Sequence, residues 1–325
     1  MYKRQILEEC VAMNLDAKAP DKQERREFER KCMAMGISVK DIKLVDGKRR
    51  EILVTAKTFM KGCVSERVLR ETVSSVFKAK FFSNQDNRVI INEEPDQYVF
   101  YQENRFRILS GMARKCKEEE NTSGDNFLLK KLNCGKMVAA IADGCGSGKR
   151  AFAESRMVIE LMENCIEAGF EEKTAIDLIN SAYIAGTTFN NPVTMDMSII
   201  DCQAGVINCI KLGAVSTFIK RDNWVEIIKS TTLPMGVLEQ VDYDCTTKKL
   251  YDGNYIIMIS DGVLDNLSGI NKEEQMVEII NNINVKKPAG IAKKILEESL
   301  KNNNMEAFDD CTVMVLGVFD TYVNV

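Results

Sequence analysis

The residues with the clearest chemical potential are two Asp-Gly pairs that each follow an apolar run. The run 137–142 leads into Asp143-Gly144, and the run 255–260 leads into Asp261-Gly262. A buried strand that ends in Asp-Gly brings a carboxylate to the edge of a sheet and then turns sharply. An isolated Asp-Gly is usually only a turn, but two copies in matching contexts favour a shared site.

Further acidic residues stand before and after these pairs. Asp125 ends the motif Ser123-Gly124-Asp125, and Asp309 and Asp310 lead into the apolar run 311–319. Any four of these carboxylates gathered at one place would repel one another unless cations neutralised them. Mg²⁺ and Mn²⁺ are hard ions that prefer oxygen ligands. The sequence therefore predicts a centre for such ions.

The chain contains no histidine. Its absence excludes Ser-His-Asp and Cys-His catalysis and the usual His-containing zinc sites. Any hydrolytic chemistry must rest on carboxylates, metal-bound water, Cys, Lys or Tyr, and the carboxylate interpretation is compatible with this restriction.

The loop from Asp143 to Lys149 superficially resembles a phosphate-binding glycine loop. It lacks the Walker spacing, and an aspartate at its entrance would repel a pyrophosphate, which disfavours a dinucleotide site. We interpret its glycines as letting the backbone pass close to an ion and exposing the Gly144 carbonyl as a ligand. For Lys149 and Arg150 two interpretations stay open: contacts with a phosphorylated partner, or solvated charges beside a loop.

Composition limits the class of protein. A chain of 325 residues suggests about two domains, and a formal net charge of -4 with a pI near 5.4 argues against a general nucleic-acid binder. No apolar run reaches the roughly 18 residues that span a bilayer, and the N-terminus shows no secretory core. Eleven dispersed cysteines without a CxxC pair indicate reduced thiols in a cytoplasmic protein.

The elements that must position these residues fall into two groups. The first group is a helix over 20–35 with Asp21 as its cap and Gly36 as its stop, strands over 37–45 and 50–55 joined through Asp46-Gly47, a helix over 64–79, and strands over 88–92 and 97–102. This order predicts a small α+β module. A polar stretch, 117–124, follows, and we place the boundary between residues 104 and 105.

The second group, residues 105–325, predicts mainly antiparallel sheets with helices packed outside them. Its elements are strands over 105–116, 126–132 and 136–142, helices over 150–168 and 172–185, strands over 197–201, 206–212, 216–221 and 224–229, the Asp-Gly strand ending at Ser260, helices over 271–283 and 289–301, and a strand over 311–319. Long alternating βα repeats are missing, which argues against Rossmann and TIM architectures.

The order of the short motifs resembles that of the metal-dependent PPM protein phosphatases, and most closely the bacterial branch typified by stage II sporulation protein E. The motifs are Ser123-Gly124-Asp125, Asp143 to Gly148, Thr194-Met195-Asp196-Met197-Ser198, Leu233-Pro234-Met235-Gly236, Ser260-Asp261-Gly262 and Asp309-Asp310-Cys311-Thr312. The resemblance covers about residues 105–320, and residues before 105 are similar in layout to the module that precedes the phosphatase domain in the sporulation proteins.

The resemblance implies an α-β-β-α sandwich with two divalent cations, Mn²⁺ or Mg²⁺, between the sheets. It implies that Asp143 bridges both ions, that Asp125 and the Gly144 carbonyl complete one side, and that Asp261 and Asp309 complete the other. Asp143 and Asp261 are accordingly the expected catalytic residues, and a ligand role for Asp196 is not expected. Such a two-metal site activates a bridging water for in-line attack on a phosphoryl group.

Two departures from the family pattern matter. Many eukaryotic relatives use a histidine as general acid and an arginine as phosphate clamp; this chain has no histidine, and its sequence does not identify the arginine. The sporulation proteins also carry an N-terminal membrane region that is missing here. We therefore expect either a soluble portion of such a protein, membrane-associated through the rest of it, or a membrane-free relative.

The resemblance predicts a phosphoserine/phosphothreonine protein phosphatase that acts on a phosphorylated anti-anti-sigma protein and so activates a sporulation sigma factor. Residues 1–104 are expected to regulate rather than catalyse, and a second copy of the chain is a further expected partner. Two alternatives stay open: a catalytically silent regulator with the same fold, and a phosphohydrolase of small molecules.

Overall fold

The computed structural model describes residues 17–46, 50–59, 62–84, 86–117, 122–132, 135–146, 148–186 and 191–321. These residues form two compact units, which meet in the chain between Asn104 and Arg105. Three features expected from the sequence fall partly outside the described ranges: Gly47 of the first hairpin turn, residues 118–121 of the polar stretch, and Ser147 of the glycine loop.

The first unit, residues 17–104, is an antiparallel sheet with two helices on it. Its elements are β1 (Ala17–Lys18), α1 (Lys22–Ala34), β2 (Ile37–Asp46), β3 (Arg50–Thr58), β4 (Val64–Ser65), α2 (Glu66–Val76), β5 (Phe81–Ser83), β6 (Ile90–Ile91) and β7 (Asp96–Gln102). The sheet order is β1-β2-β3-β7-β5, and β4 pairs with β6. Phe28 of α1, Leu69 of α2 and Tyr98 of β7 are fully buried in one core.

Local signals explain where α1 begins and ends. The Asp21 carboxylate accepts the backbone N–H groups of Gln23 and Glu24 at 2.6 and 2.8 Å, which satisfies donors that the first helical turn leaves free. Gly36 has a φ of +82°, a conformation that suits glycine, and it redirects the chain into β2. The predicted cap and stop are both confirmed.

The second unit, residues 105–321, contains two five-stranded antiparallel sheets. Its strands are β8 (Phe106–Lys115), β9 (Asp125–Lys131), β10 (Lys136–Gly144), β11 (Val193–Asp201), β12 (Val206–Leu212), β13 (Thr217–Lys220), β14 (Val225–Ile228), β15 (Asp244–Lys249), β16 (Tyr255–Ile259) and β17 (Cys311–Asp320). The orders are β15-β12-β11-β10-β9 and β14-β13-β16-β17-β8.

Helices cover the outer face of each sheet. They are α3 (Gly148–Glu167), α4 (Glu172–Ala185), α5 (Asp261–Asp265), α6 (Lys272–Asn282) and α7 (Pro288–Leu300), with a 3₁₀ turn at Lys301–Asn303. One outer core joins the first sheet to α3 and α4, and a second joins the other sheet to α5, α6 and α7. The predicted α-β-β-α sandwich is confirmed.

Alternation along β10 decides which of its side chains face the other sheet. Val138, Ala140 and Ala142 belong to the core beneath α3 and α4, whereas Ala139 and Ile141 belong to the core between the two sheets. Because side chains alternate between the faces of a strand, Asp143 continues the inner series. The strand thus delivers a carboxylate to the end of the layer between the sheets.

Several elements differ from the sequence expectations. The strand expected over 88–92 is only the two-residue β6, and β11 begins at Val193, four residues before the expected start at Met197. The short β1, β4, β5 and α5 were not expected, and neither was β15, whose sequence is mostly polar and lacks a strand-like apolar alternation. No helix in the described ranges is both long and apolar enough to cross a bilayer.

Candidate metal centre

The first sheet contributes two carboxylates from neighbouring strands. β9 and β10 pair antiparallel, and the register places Asp143 directly opposite Asp125. Asp125 is almost fully buried, at 1% exposure, and Asp143 is partly buried. Directly opposed side chains on one face have Cβ atoms about 4.5–5.5 Å apart. These two predicted metal ligands are therefore brought together.

The second sheet contributes Asp261 and Asp309 at the ends of two neighbouring strands, β16 and β17. The Ser260 and Thr312 backbones are joined by a 3.0 Å hydrogen bond from the Ser260 N–H, and the Thr312 N–H donates to Ser260 Oγ at 2.9 Å. Asp261 follows Ser260 as the first residue of α5, and Asp309 lies just before β17. The Asp143 carboxyl lies within interaction range of both, with a side-chain hydrogen bond to Asp261.

A hydrogen bond connects the two sheets at this point. The Thr312 hydroxyl donates to Asp125 Oδ2 at 2.6 Å. It satisfies one oxygen of a buried carboxylate from the opposite sheet and so sets the spacing of the layer in which the four aspartates lie.

The electrostatics of the cluster favour protonation or a compensating cation. Burial, together with the neighbouring Asp125, Asp261 and Asp309, raises the pKa of Asp143 to about 10. Burial raises the pKa of Asp125 to about 7, against the opposing effect of the Thr312 hydrogen bond. The pKa of Asp309 is also raised, chiefly by burial. Each shift reports that a negative charge placed here lacks compensation from the protein.

One oxygen atom tests directly whether the residues present suit a cation. Asp125 Oδ1 is buried and has no hydrogen-bond partner among the described residues. An orphaned carboxylate oxygen inside a protein is costly unless it meets a donor or an ion. Oxygen-only surroundings fit Mg²⁺ or Mn²⁺. In the described ranges, however, no three acidic or thiol side chains are already gathered as a closed cage, so the carboxylates are neighbours rather than a preformed shell.

The glycines after the aspartates serve the packing of the following helices. A Cβ on Gly144 would overlap the backbone of Ala151 in α3, and one on Gly262 would overlap the Asp310 carbonyl. The sequence interpretation assigned the loop glycines to the approach of an ion; for Gly144 the structure supplies another physical reason, close contact with a helix. Gly146 and Gly148 have φ of +98° and +78°, which accounts for glycine at both positions.

The two basic residues at the start of α3 differ in their surroundings. Arg150 donates from Nε to Glu154 at 3.2 Å, and Asn191 donates to the other oxygen of the same buried carboxylate. Arg150 thereby contributes to a local network that links α3 with the approach to β11. Lys149 is exposed.

Asp196 lies near the cluster but is compensated separately. On β11 it stands opposite Ile141, two residues from Asp143 along β10. Its Oδ2 accepts from the fully buried Lys211 ammonium at 2.8 Å and from the hydroxyl of Thr217 on the other sheet. The paired lysine explains how this carboxylate is held inside the sandwich. Its other oxygen, Oδ1, is buried without a hydrogen-bond partner among the described residues, and the absence of a ligand role for Asp196 stays a prediction.

Sequence reasoning did not identify two supporting residues. The Asp310 carboxylate accepts the backbone N–H groups of Lys117 and Gly124 at 3.0 and 2.7 Å, which fixes the chain just before Asp125. Arg114 on β8 donates to the Asp125 carbonyl at 2.6 Å and to Thr312 Oγ1 at 3.2 Å. The adjacent Asp309-Asp310 pair was a signal for the first; for Arg114 the sequence offered none.

The chain matches known sequences over most of its length. The family model for stage II sporulation protein E (SpoIIE) matches residues 133–319, more than half of the chain. Stage II sporulation protein E of Bacillus subtilis (strain 168) is 30% identical over 258 residues, covering 78% of this chain and 31% of that protein. The Priestia megaterium protein is 34% identical over 211 residues, covering 65% and 36%. The chain spans roughly a third of these curated relatives.

Solved structures agree with this match. The PP2C phosphatase domain with a fragment of the regulatory domain of SpoIIE from Bacillus subtilis has a TM-score of 0.73 at 25% identity, covering 99% of this chain and 92% of that one. The SpoIIE phosphatase domain in a crystal form without domain swapping has a TM-score of 0.56 at 31% identity, covering 69% and 97%. The chain therefore belongs to the SpoIIE family, as its motifs indicated, and shares the fold of that family's PP2C phosphatase domain.

Proposed function

We propose that this chain hydrolyses phosphoserine or phosphothreonine in a protein substrate with the help of two divalent cations, Mn²⁺ or Mg²⁺. The observation that carries the proposal is the group of four aspartates around Asp143, with the buried Asp125 Oδ1 unpartnered among the described residues. Asp125, Asp143 and the Gly144 carbonyl would hold one ion, and Asp143, Asp261 and Asp309 the other. When bound, such ions supply an activated water and neutralise charge on the phosphoryl oxygens.

Specific contacts in the structure position the proposed metal ligands. The β9–β10 register holds Asp125 opposite Asp143, the Thr312 hydroxyl orients Asp125, and Asp310 fixes the segment in front of it. Because the two sheets supply different ligands, the sandwich itself sets the distance between them. Placement to within a fraction of an ångström is what this kind of catalysis requires.

We further propose that Arg114 is the phosphate-contacting arginine that the sequence did not identify. Its two hydrogen bonds, to the Asp125 carbonyl and to Thr312, hold the guanidinium at the rim of the cluster. The residue is exposed, and a guanidinium carries five N–H donors, of which these bonds use two. The remaining donors suit a phosphoryl oxygen.

The substrate assignment rests on the family. We propose a phosphorylated anti-anti-sigma protein as the substrate, with activation of a sporulation sigma factor as the outcome. We also propose that residues 1–104 regulate the phosphatase unit, that two copies of the chain associate, and that the protein works in the cytoplasm or, within a longer protein, at the membrane. The nine cysteines described are free thiols, which is compatible with a reducing compartment.

A substrate panel tests the proposed function. The full chain is incubated with Mn²⁺ and either the phosphorylated anti-anti-sigma protein, a phosphoserine peptide or a set of nucleotides, and phosphate release is measured. We expect metal-dependent turnover that is fastest on the phosphoprotein. Preferential turnover of nucleotides would make the chain a small-molecule phosphohydrolase, and no turnover of any substrate would make it a silent regulator.

A further inference from the structure

An apolar surface stands on the loop between β14 and β15. Leu233, Val237 and Leu238 of this loop are 51, 42 and 53% exposed. Leu233 and Leu238 line one cavity of about 270 Å³. We call these three residues the apolar docking surface. Exposed apolar side chains that cluster in this way mark sites of association more often than single exposed residues do.

Contacts with α4 fix the conformation of the loop that carries this surface. The buried Asn180 side chain accepts the Gly236 N–H at 2.9 Å and donates to the Leu238 carbonyl at 2.9 Å. Gly236 has a φ of +88°, and a Cβ there would lie 2.8 Å from the Tyr183 ring. The small Gly236 therefore allows close packing of the loop on α4, and the hydrogen bonds of Asn180 hold the loop there. A surface fixed before binding loses little conformational entropy when a partner arrives.

The same loop is tied to the candidate metal centre. Met235 and Val193 exchange two backbone hydrogen bonds of 2.9 and 3.1 Å, and Val193 stands opposite Gly144 in the β10–β11 register. Adjacent strands lie about 4.8 Å apart, so the Met235 backbone in this loop lies about 10 Å from Gly144 at the end of β10. A phosphorylated side chain at the metal centre would place the surrounding protein over this loop.

Two carboxylates beside the apolar docking surface indicate what kind of side chains a partner presents to it. Asp242 and Asp244 line the same cavity as Leu233 and Leu238. Asp244 accepts the Thr231 N–H at 2.8 Å, which holds this carboxylate at the cavity wall. An apolar side chain accompanied by a lysine or arginine complements this combination.

We propose that the apolar docking surface binds the phosphoprotein substrate itself, through an apolar side chain and a basic residue on the part of the substrate that surrounds its phosphorylated serine or threonine. The inference rests on the proposed function, because it assigns to that reaction a second contact away from the phosphate. It predicts that recognition of the protein and chemistry on the phosphate are separable. A small phosphate ester reaches the metal centre without touching Leu233 or Leu238.

The test compares two substrates on three proteins. The double variant Leu233→Ser/Leu238→Ser removes the centre of the surface, and Trp224→Ser is the control. Trp224 is 53% exposed in the same unit, and its β13–β14 turn lies beside Tyr255, at the opposite end of β16 from Asp261. The full-length chains are assayed with Mn²⁺ on the phosphorylated anti-anti-sigma protein and on p-nitrophenyl phosphate, and thermal unfolding is recorded.

For the double variant we expect kcat/KM on the phosphoprotein to fall about tenfold or more, mainly through KM, as for residues at the centre of an interface. Its rate on p-nitrophenyl phosphate should stay within about twofold of wild type, which also shows that it folds. Trp224→Ser should match wild type on both substrates.

Equal losses on both substrates, or a phosphoprotein kcat/KM unchanged in the double variant, would overturn the docking surface while leaving the phosphatase proposal standing. A wild-type chain that hydrolyses neither substrate with Mn²⁺ would instead overturn the proposed function, and the docking surface with it.

Discussion

Replacing Asp143 by asparagine should have opposite effects on two properties: it should raise the stability of the metal-free protein and abolish its catalytic activity. An asparagine keeps the shape of the side chain and can still hydrogen-bond to Asp261, which the Asp143 carboxyl contacts now. It cannot ionise, so it removes a group whose charged form is disfavoured by burial and by the neighbouring aspartates. The variant should therefore lose turnover while the metal-free protein becomes more stable at neutral pH.

The size of the stability effect follows from the pKa of Asp143, raised from 3.8 to about 10 by burial and by the neighbouring aspartates. Between these values the folded metal-free protein holds a proton that the unfolded chain has released, so this carboxyl makes stability fall as pH rises. Linkage gives about 1.4 kcal/mol per pH unit, and thus up to about 4 kcal/mol by pH 7. The Asp143→Asn variant would not carry this penalty, because an amide does not titrate in this range.

The assay has two readouts on EDTA-treated and Mn²⁺-loaded protein. Without metal at pH 8, Asp143→Asn should unfold at least about 5 °C above wild type, with a flatter dependence of Tm on pH between 5 and 8. With saturating Mn²⁺, its turnover of p-nitrophenyl phosphate should fall about a thousandfold, equivalent to about 4 kcal/mol. Asp222→Asn, the same change on an exposed turn residue, should alter neither readout.

Two results would contradict this role of Asp143. Turnover within tenfold of wild type would show that Asp143 does not hold the ions. A metal-free variant less stable than wild type at pH 8 would show that burial and the neighbouring aspartates do not make ionisation of the Asp143 carboxyl unfavourable.

Three further predictions concern the metals, the buried ion pair and the first unit. Exhaustive chelation should abolish phosphatase activity, and Mn²⁺ or Mg²⁺ should restore it, because the candidate ligands are all oxygens; full activity in chelated protein, checked by metal analysis, would contradict this. Lys211→Met should lower the free energy of unfolding by about 3–5 kcal/mol, since it leaves the Asp196 charge buried alone; urea unfolding measures the loss, and a change below about 1 kcal/mol would contradict it. A truncated chain of residues 105–325 should keep metal-dependent phosphatase activity with a changed metal affinity or basal rate; if it folds and its rate, metal affinity and oligomeric state all equal those of the full chain, residues 1–104 have no regulatory role in catalysis.

Local sequence signals predicted many of the helices and strands correctly. The helix expected over 172–185 coincides with α4, and the hairpin strand expected over 206–212 coincides with β12, because apolar periodicity and turn residues act over a few neighbouring positions. Polar β15 lacked such a signal, since its place in the sheet comes from pairing with β12. The five-residue α5 is too short to show periodicity.

The sequence predicted part of the candidate site for a similar reason. Asp-Gly after an apolar strand is a local pattern, and it located Asp143 and Asp261 at sheet ends. The register that sets Asp125 opposite Asp143 and the reach of Arg114 to Thr312, 198 positions away, arise only in the folded chain. The different partners of Asp309 and Asp310 also depended on backbone direction: the Asp310 carboxylate accepts the Gly124 N–H, whereas Asp309 interacts with Asp143 and Asp261.

Locating the ions in a crystal tests the proposed two-metal centre most directly. Crystals of the full chain soaked in MnCl₂ and measured at the manganese absorption edge should show two anomalous peaks about 3.5–4 Å apart, both within coordination distance of the Asp143 carboxylate. Asp125 and the Gly144 carbonyl should lie on one peak, and Asp261 and Asp309 on the other. No peak among these residues, or ions bound without Asp143, would contradict the two-metal centre.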